Sequence, residues 1–164
     1  MRQRWQQRIG RRIAAVGTAG AVALAQVVVG ATPAAAADPV TLNILTVNDF
    51  HGRINATTVQ FAGTIEQLRQ AGGAENTLLV GAGDLIGASE FASAVAGDQP
   101  TIDVFNELGM QVSAVGNHEF DKGFADLTDR VIGPDGARNA RWDYLGANVY
   151  QKGTTTPALP EYGV

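Results

Sequence analysis

At 164 residues, with 45% hydrophobic and 17% charged side chains, the chain has room for one ordinary globular domain. Cysteine is absent, which excludes a disulfide framework, a thiolate nucleophile and a cysteine-linked lipid anchor. The formal charge of −4 is unevenly spread: five of the 12 basic residues precede Asp38 and none of the 16 acidic ones does, so residues 38–164 alone carry −9. That balance argues against nonspecific nucleic-acid binding, and a phosphate ester bound there would need cations to offset the repulsion.

The first segment, residues 1–37, opens with "MRQRWQQRIGRR", continues as an uncharged run from Ile13 to about Val29 and closes with "ATPAAAADPV". A basic start, an apolar middle and a small-residue end predict a secretory signal peptide, with Ala35 and Ala37 at the small-residue positions and cleavage before Asp38. The competing reading is a membrane anchor, which the Ala- and Gly-rich, weakly hydrophobic run fits less well. Export of a soluble protein to the periplasm, cell surface or exterior follows.

From there "VTLNILTVND" (40–49) predicts a buried strand, and "TTVQFAGTIEQLRQAGG" a helix with Val59, Ala62, Ile65 and Leu68 on its apolar side and Gly72-Gly73 as its stop. "NTLLVGAGD" predicts a second strand running into a glycine turn. A helix is expected from about Pro100 to Leu108 with Gly109 as its end. "QVSAVGNHE" predicts a third strand, "FADLTDRVIG" a third short helix and "RWDYLGANVY" a fourth strand. Strands alternating with helices predict an α/β domain with at least partly parallel strands.

Three times an apolar strand runs out into a loop of polar, ionisable residues: "ILTVNDFHGR", "LLVGAGDLIGAS" and "VSAVGNHEFD". In α/β sheets ligands bind beyond the carboxyl ends of the strands, so the three loops could converge on one site. Asp49 and His51, two apart on an extended strand end, would project to the same side and could share one divalent cation; the plainer reading is a strand end where Asp49 caps a turn. Asp84 follows Gly81 and Gly83, which permit a close backbone approach and leave a carboxylate able to bridge two cations; alone, Gly-x-Gly-Asp is also an ordinary turn. Asn117 offers a neutral ligand oxygen and His118 beside it could face a substrate. Asp121 can reach back to the His118 ring, fixing its tautomer and favouring the protonated form, as a general acid or an oxyanion-stabilising cation requires. The alternative is an exposed polar turn. Glu119 reads as a supporting acid. No residue is singled out for substrate binding.

The chain has no G-x-x-x-x-G-K-[ST] phosphate loop, no G-x-S-x-G elbow and no aromatic platform beside basic residues. Together, "LTVNDFHGR", "GAGDLIGAS" and "AVGNHEFDKG", with "YLGANVY" and "PALPEY" after them, resemble the calcineurin-like metallophosphoesterases. Within these they resemble the exported bacterial 5′-nucleotidase, UDP-sugar hydrolase and 2′,3′-cyclic-nucleotide phosphodiesterase family. The resemblance spans nearly all of residues 38–164. It implies the N-terminal half of a four-layer α/β/β/α fold and a two-metal site that hydrolyses phosphate esters of nucleotides. By motif, Asp49 and His51 would bind one metal, Asp84 would bridge both and Asn117 would bind the second. His118, supported by Asp121, would stabilise the phosphoryl oxygens or protonate the leaving group. Oxygen and imidazole ligands suit zinc, manganese or a similar ion.

The chain departs from the family's pattern in its histidines. The family implies further histidine ligands, including a Gly-His-x-His-like segment, and a C-terminal domain that binds the nucleoside or sugar; this chain has two histidines in all. The expectation is a partial metallophosphoesterase domain with little activity of its own. The competing class is a secreted, non-enzymatic remnant that binds metal or a partner.

Overall fold

The computed structural model describes residues 38–160; the predicted signal peptide, residues 1–37, lies outside the described residues. Four strands form one sheet: β1 (Asn43–Val47), β2 (Thr77–Gly81), β3 (Val112–Ala114) and β4 (Asp143–Leu145). They lie side by side in chain order, all parallel, with Leu45 opposite Leu79, Val80 opposite Val112 and Ser113 opposite Tyr144. Parallel neighbours need a crossover between them, and the helices supply it. These are α1 (Thr58–Gly72), α2 (Phe91–Ala94), α3 (Gln99–Glu107) and a π-helical segment, α4 (Asp126–Ile132). The predicted α/β class and its parallel strands are therefore found.

The helix ends follow from the sequence. Gly73 and Gly109 stop α1 and α3 with φ of +84° and +64°, a conformation that costs a residue with a Cβ and costs glycine little. Pro100 sits in the first turn of α3, where its missing N–H would have had no helical partner anyway. The apolar side of α1 differs from the expectation. Val59 is 80% exposed and Leu68 is exposed too, whereas Ile65 is buried and Phe61 and Ala62 pack against the core. The reason is an aromatic cluster: Phe61 lies 5.2 Å from Phe50 and 6.1 Å from Phe105 between ring centroids, which turns α1 by about one position.

The core lies on one face of the sheet. Leu79 and Tyr144 from the strands, Ile65 from α1, Ile102 and Phe105 from α3, Leu127 and Val131 from α4, and Trp142 make up most of it. The other face carries Ile44 and Leu78, register partners that are 57% and 39% exposed, beside Val80, Val112 and Leu145. Parallel sheets are generally covered on both faces, so this apolar face is shaped for a further layer. Among the described residues one helical layer and one sheet are present, two of the four layers that the resemblance implies.

All four strands run the same way, so their carboxyl ends meet at one edge. The loops after β1, β2 and β3 carry every site residue predicted from the sequence.

Candidate functional site

The loop after β1 is fastened to the loop after β2 by a ladder of backbone hydrogen bonds. The N–H groups of Asp49, His51 and Gly52 donate to the carbonyls of Gly83, Asp84 and Leu85 at 3.2, 3.0 and 3.0 Å. Asp49, His51 and Asp84 all have positive φ, at 51°, 47° and 52°. Non-glycine residues hold that conformation at a cost, and the ladder imposes it. The expectation that Asp49 and His51 share a side because the strand is still extended is therefore incorrect. The strand ends at Val47, and two left-handed residues in a tight turn bring Asp49 Oδ1 to 3.8 Å from His51 Nε2.

The loop after β3 is fastened to the same place by Glu119, a 2% exposed carboxylate. Its Oε1 accepts from the Leu85 N–H (2.8 Å) and its Oε2 from the N–H groups of Asp84 (3.0 Å) and Gly116 (2.6 Å). Burial pushes this carboxyl above the ordinary glutamate range, and the three amides pull it back. The supporting role read from the sequence agrees with this geometry. Gly83 makes the close approach possible, since a Cβ there would lie 2.7 Å from the Gly116 nitrogen.

Three side chains converge as a result. Ligand atoms of His51, Asp84 and His118 all lie within 4.8 Å of one another. His51 Nδ1 lies 2.9 Å from the Gly87 carbonyl, which only accepts, so Nδ1 carries the hydrogen and Nε2 is the ring nitrogen left to face the cluster. Asp84 Oδ1 accepts from the His118 backbone N–H at 2.9 Å, leaving Oδ2 without a hydrogen bond from a described residue. The two imidazoles meet edge to face with centroids 4.9 Å apart. One carboxylate and two imidazoles, each oriented by a hydrogen bond on its other side, form a donor set that fits a divalent cation. Asp49 and Asn117 are exposed, and Asn117 opens the short 3₁₀ turn His118–Phe120.

His118 Nδ1 donates to Asp121 Oδ2 at 2.9 Å, and the same oxygen accepts from the Ala88 N–H at 3.1 Å. This hydrogen bond is the main reason that the His118 pKa is raised above its ordinary 6.5 and the Asp121 pKa lowered below its ordinary 3.8. The charged pair therefore persists across the window between those two values. Its His118 part contributes stability below about pH 6.5 and loses it as pH rises through the raised value. Its Asp121 part is lost only as pH falls through the lowered one. An NMR titration of the imidazole C–H signals in cation-free protein checks this: Asp121→Asn brings the His118 pKa down toward 6.5, and an unchanged value contradicts the pairing.

The sequence did not reveal the Gly87 carbonyl that orients His51, because it comes from 36 residues away with no signal of its own. Nor did it show that His118 stands among the ligand atoms.

Several proteins similar to this chain carry nucleotidase names. The chain is 33% identical over 162 residues to an uncharacterised protein from the pqq-V 5′ region of Acinetobacter calcoaceticus, covering 76% of this chain and 78% of that one. It is 30% identical to the 2′,3′-cyclic-nucleotide 2′-phosphodiesterase/3′-nucleotidase of Haemophilus influenzae, covering 71% of this chain and 18% of the relative. The chain is related to proteins named 5′-nucleotidase. Endonuclease YhcR of Bacillus subtilis is another relative, 33% identical over 76% of this chain and 12% of that protein. The chain thus spans under a fifth of the length of these two named relatives. The solved structure of Haemophilus influenzae NAD nucleotidase matches 65% of this chain and 23% of its own at a TM-score of 0.51 and 22% identity, a likeness of fold. No family model matches the chain.

Proposed function

We propose that this site hydrolyses phosphate esters, 5′-nucleotides or related nucleotide and cyclic-nucleotide substrates, with a metal-activated water as the attacking group. The observation that carries the reading is the convergence of His51, Asp84 and His118 from three separate loops at the carboxyl edge of the sheet. Asp49 and His51 would hold one divalent cation, Asp84 would bridge to a second and Asn117 would complete the second from this chain. Zinc or manganese fits these oxygen and nitrogen donors. When bound, such cations lower the pKa of a water and polarise the phosphoryl group.

The chain's own groups do the rest. Asp121 keeps the hydrogen on His118 Nδ1 and raises the affinity of Nε2 for a proton. His118 can then donate that proton to the leaving oxygen or stand as a cation beside the phosphoryl oxygens. With both histidines of the chain in this one cluster, none remains for a further imidazole ligand. Low turnover by the 164-residue chain alone follows.

The charge of −9 on residues 38–164 favours small phosphate esters over nucleic-acid chains as substrates. We also place the protein outside the cytoplasm, on the leader-like pattern of residues 1–37, with residues 38–164 as the phosphoesterase part. No described helix is long and apolar enough to cross a membrane.

The test is phosphate release from a nucleoside monophosphate, with zinc or manganese present, by the native protein and by its His118→Asn variant. The variant is expected to keep its metal content and lose turnover by at least about a hundredfold. Loss of metal together with turnover would reassign His118 to the metal ligands. Unchanged turnover would contradict both roles.

A further inference from the structure

A hollow of about 280 Å³ opens at the cluster, lined by His51, Arg53, Ala88, Glu90 and His118. One of these is a carboxylate and one a guanidinium, and they are used differently. Glu90 Oε2 accepts from Asn55 Nδ2 at 2.9 Å. Arg53, by contrast, makes no side-chain hydrogen bond or ion pair with any described residue. Every other arginine among the described residues has a carboxylate partner: Arg69 with Glu66, Arg130 with Asp126, Arg138 with Asp143 and Arg141 with Glu107. In a segment with so many spare acids, the one arginine left without a partner is the one in the wall of the site. Its backbone is held all the same, with its N–H donating to the Phe50 carbonyl at 3.1 Å and the adjacent Gly52 N–H to Leu85 at 3.0 Å. The loop thus presents a fixed base and a free guanidinium beside two imidazoles.

We propose that Arg53 is a phosphate-binding residue of this site and that it selects phosphomonoesters over phosphodiesters; this rests on the phosphate-ester reading above and narrows it from cyclic nucleotides toward monoesters. A guanidinium binds phosphoryl oxygens through charge-assisted hydrogen bonds. The cation cluster, His118 and Arg53 then make three separate demands on phosphoryl oxygens. A monoester has three non-bridging oxygens to meet them, and a diester has two. Arg53 therefore takes the oxygen that a diester lacks.

The test is calorimetric titration of the full chain, with and without manganese, using inorganic phosphate, a nucleoside 5′-monophosphate, the free nucleoside and dimethyl phosphate. Native protein is expected to bind phosphate and the monophosphate, and to bind dimethyl phosphate and the nucleoside at least about tenfold more weakly. Arg53→Met should weaken phosphate binding by roughly 10- to 100-fold, the range for a hydrogen bond to a charged group, while manganese affinity stays within about twofold. Arg53→Lys should recover part of the loss. The inference is overturned if native protein binds no phosphate in either condition, if Arg53→Met binds it within about twofold of native, or if dimethyl phosphate binds as well as phosphate. Failure to bind manganese strikes the metal reading instead, and the manganese-free titrations then decide the role of Arg53.

Discussion

Replacing Glu119 with alanine is expected to lower the stability of the folded chain by about 3–5 kcal/mol, the largest effect on stability predicted here. The side chain accepts from the backbone N–H groups of Asp84, Leu85 and Gly116, and nothing else described accepts from them. Truncation leaves three donors facing a space that excludes most water, and each orphaned buried donor costs on the order of 1–3 kcal/mol. Urea unfolding of the cation-free protein measures this directly, and a loss below about 1 kcal/mol would contradict it. Glutamine should recover part of the loss, since its amide oxygen in the place of Oε2 can accept from Asp84 and Gly116 while its NH2 group faces only the Leu85 N–H. The pH dependence has a definite sign. With the carboxyl pKa raised by burial, the folded state holds this proton more tightly than the unfolded chain does. This group therefore makes stability fall as pH rises from the ordinary value of 4.5 through the raised one.

The largest functional effect is expected at Asp84. Asp84→Asn keeps an oxygen for the His118 N–H and so should preserve the turn, but it removes the only carboxylate from the three-residue cluster. Changes to residues that merely orient ligands cost 10- to 100-fold in metal affinity, and the loss of a charged ligand should cost no less than about a hundredfold. Binding of manganese or zinc by native and variant protein, with urea unfolding of both as the control for folding, separates loss of the ion from loss of the fold. Equal affinity in a folded variant would remove Asp84 from the site.

Much of this was legible in the sequence. The loops that hold Asp49, Asp84 and Asn117 stand out because each follows an apolar strand, and a parallel sheet collects such loops at one edge. Glycine placement announced the helix ends at Gly73 and Gly109 and the close approach at Gly83. The four-residue helix α2 was missed, since Phe91–Ala94 is too short to show a period and its Phe91 is exposed. The buried side of α1 was misjudged because spacing alone cannot tell which of Val59 and Phe61 meets the aromatic cluster. The left-handed turn at Asp49 and His51 was invisible for a different reason. It is imposed by hydrogen bonds to residues 83–85, and neither residue type favours it enough to announce it. That Arg53 has no partner among the described residues is likewise a property of the assembled site, visible only once the other described arginines are seen with their carboxylates.

The central claim is that three loops build a divalent-cation site on this chain. Anomalous diffraction from crystals soaked in zinc or manganese tests it most directly. A peak is expected bonded to His51 Nε2 and to an oxygen of Asp84 at about 2.0–2.2 Å for zinc, with His118 held by Asp121 beside it. Crystals that take up the metal elsewhere, or show no peak between His51 and Asp84, would contradict it.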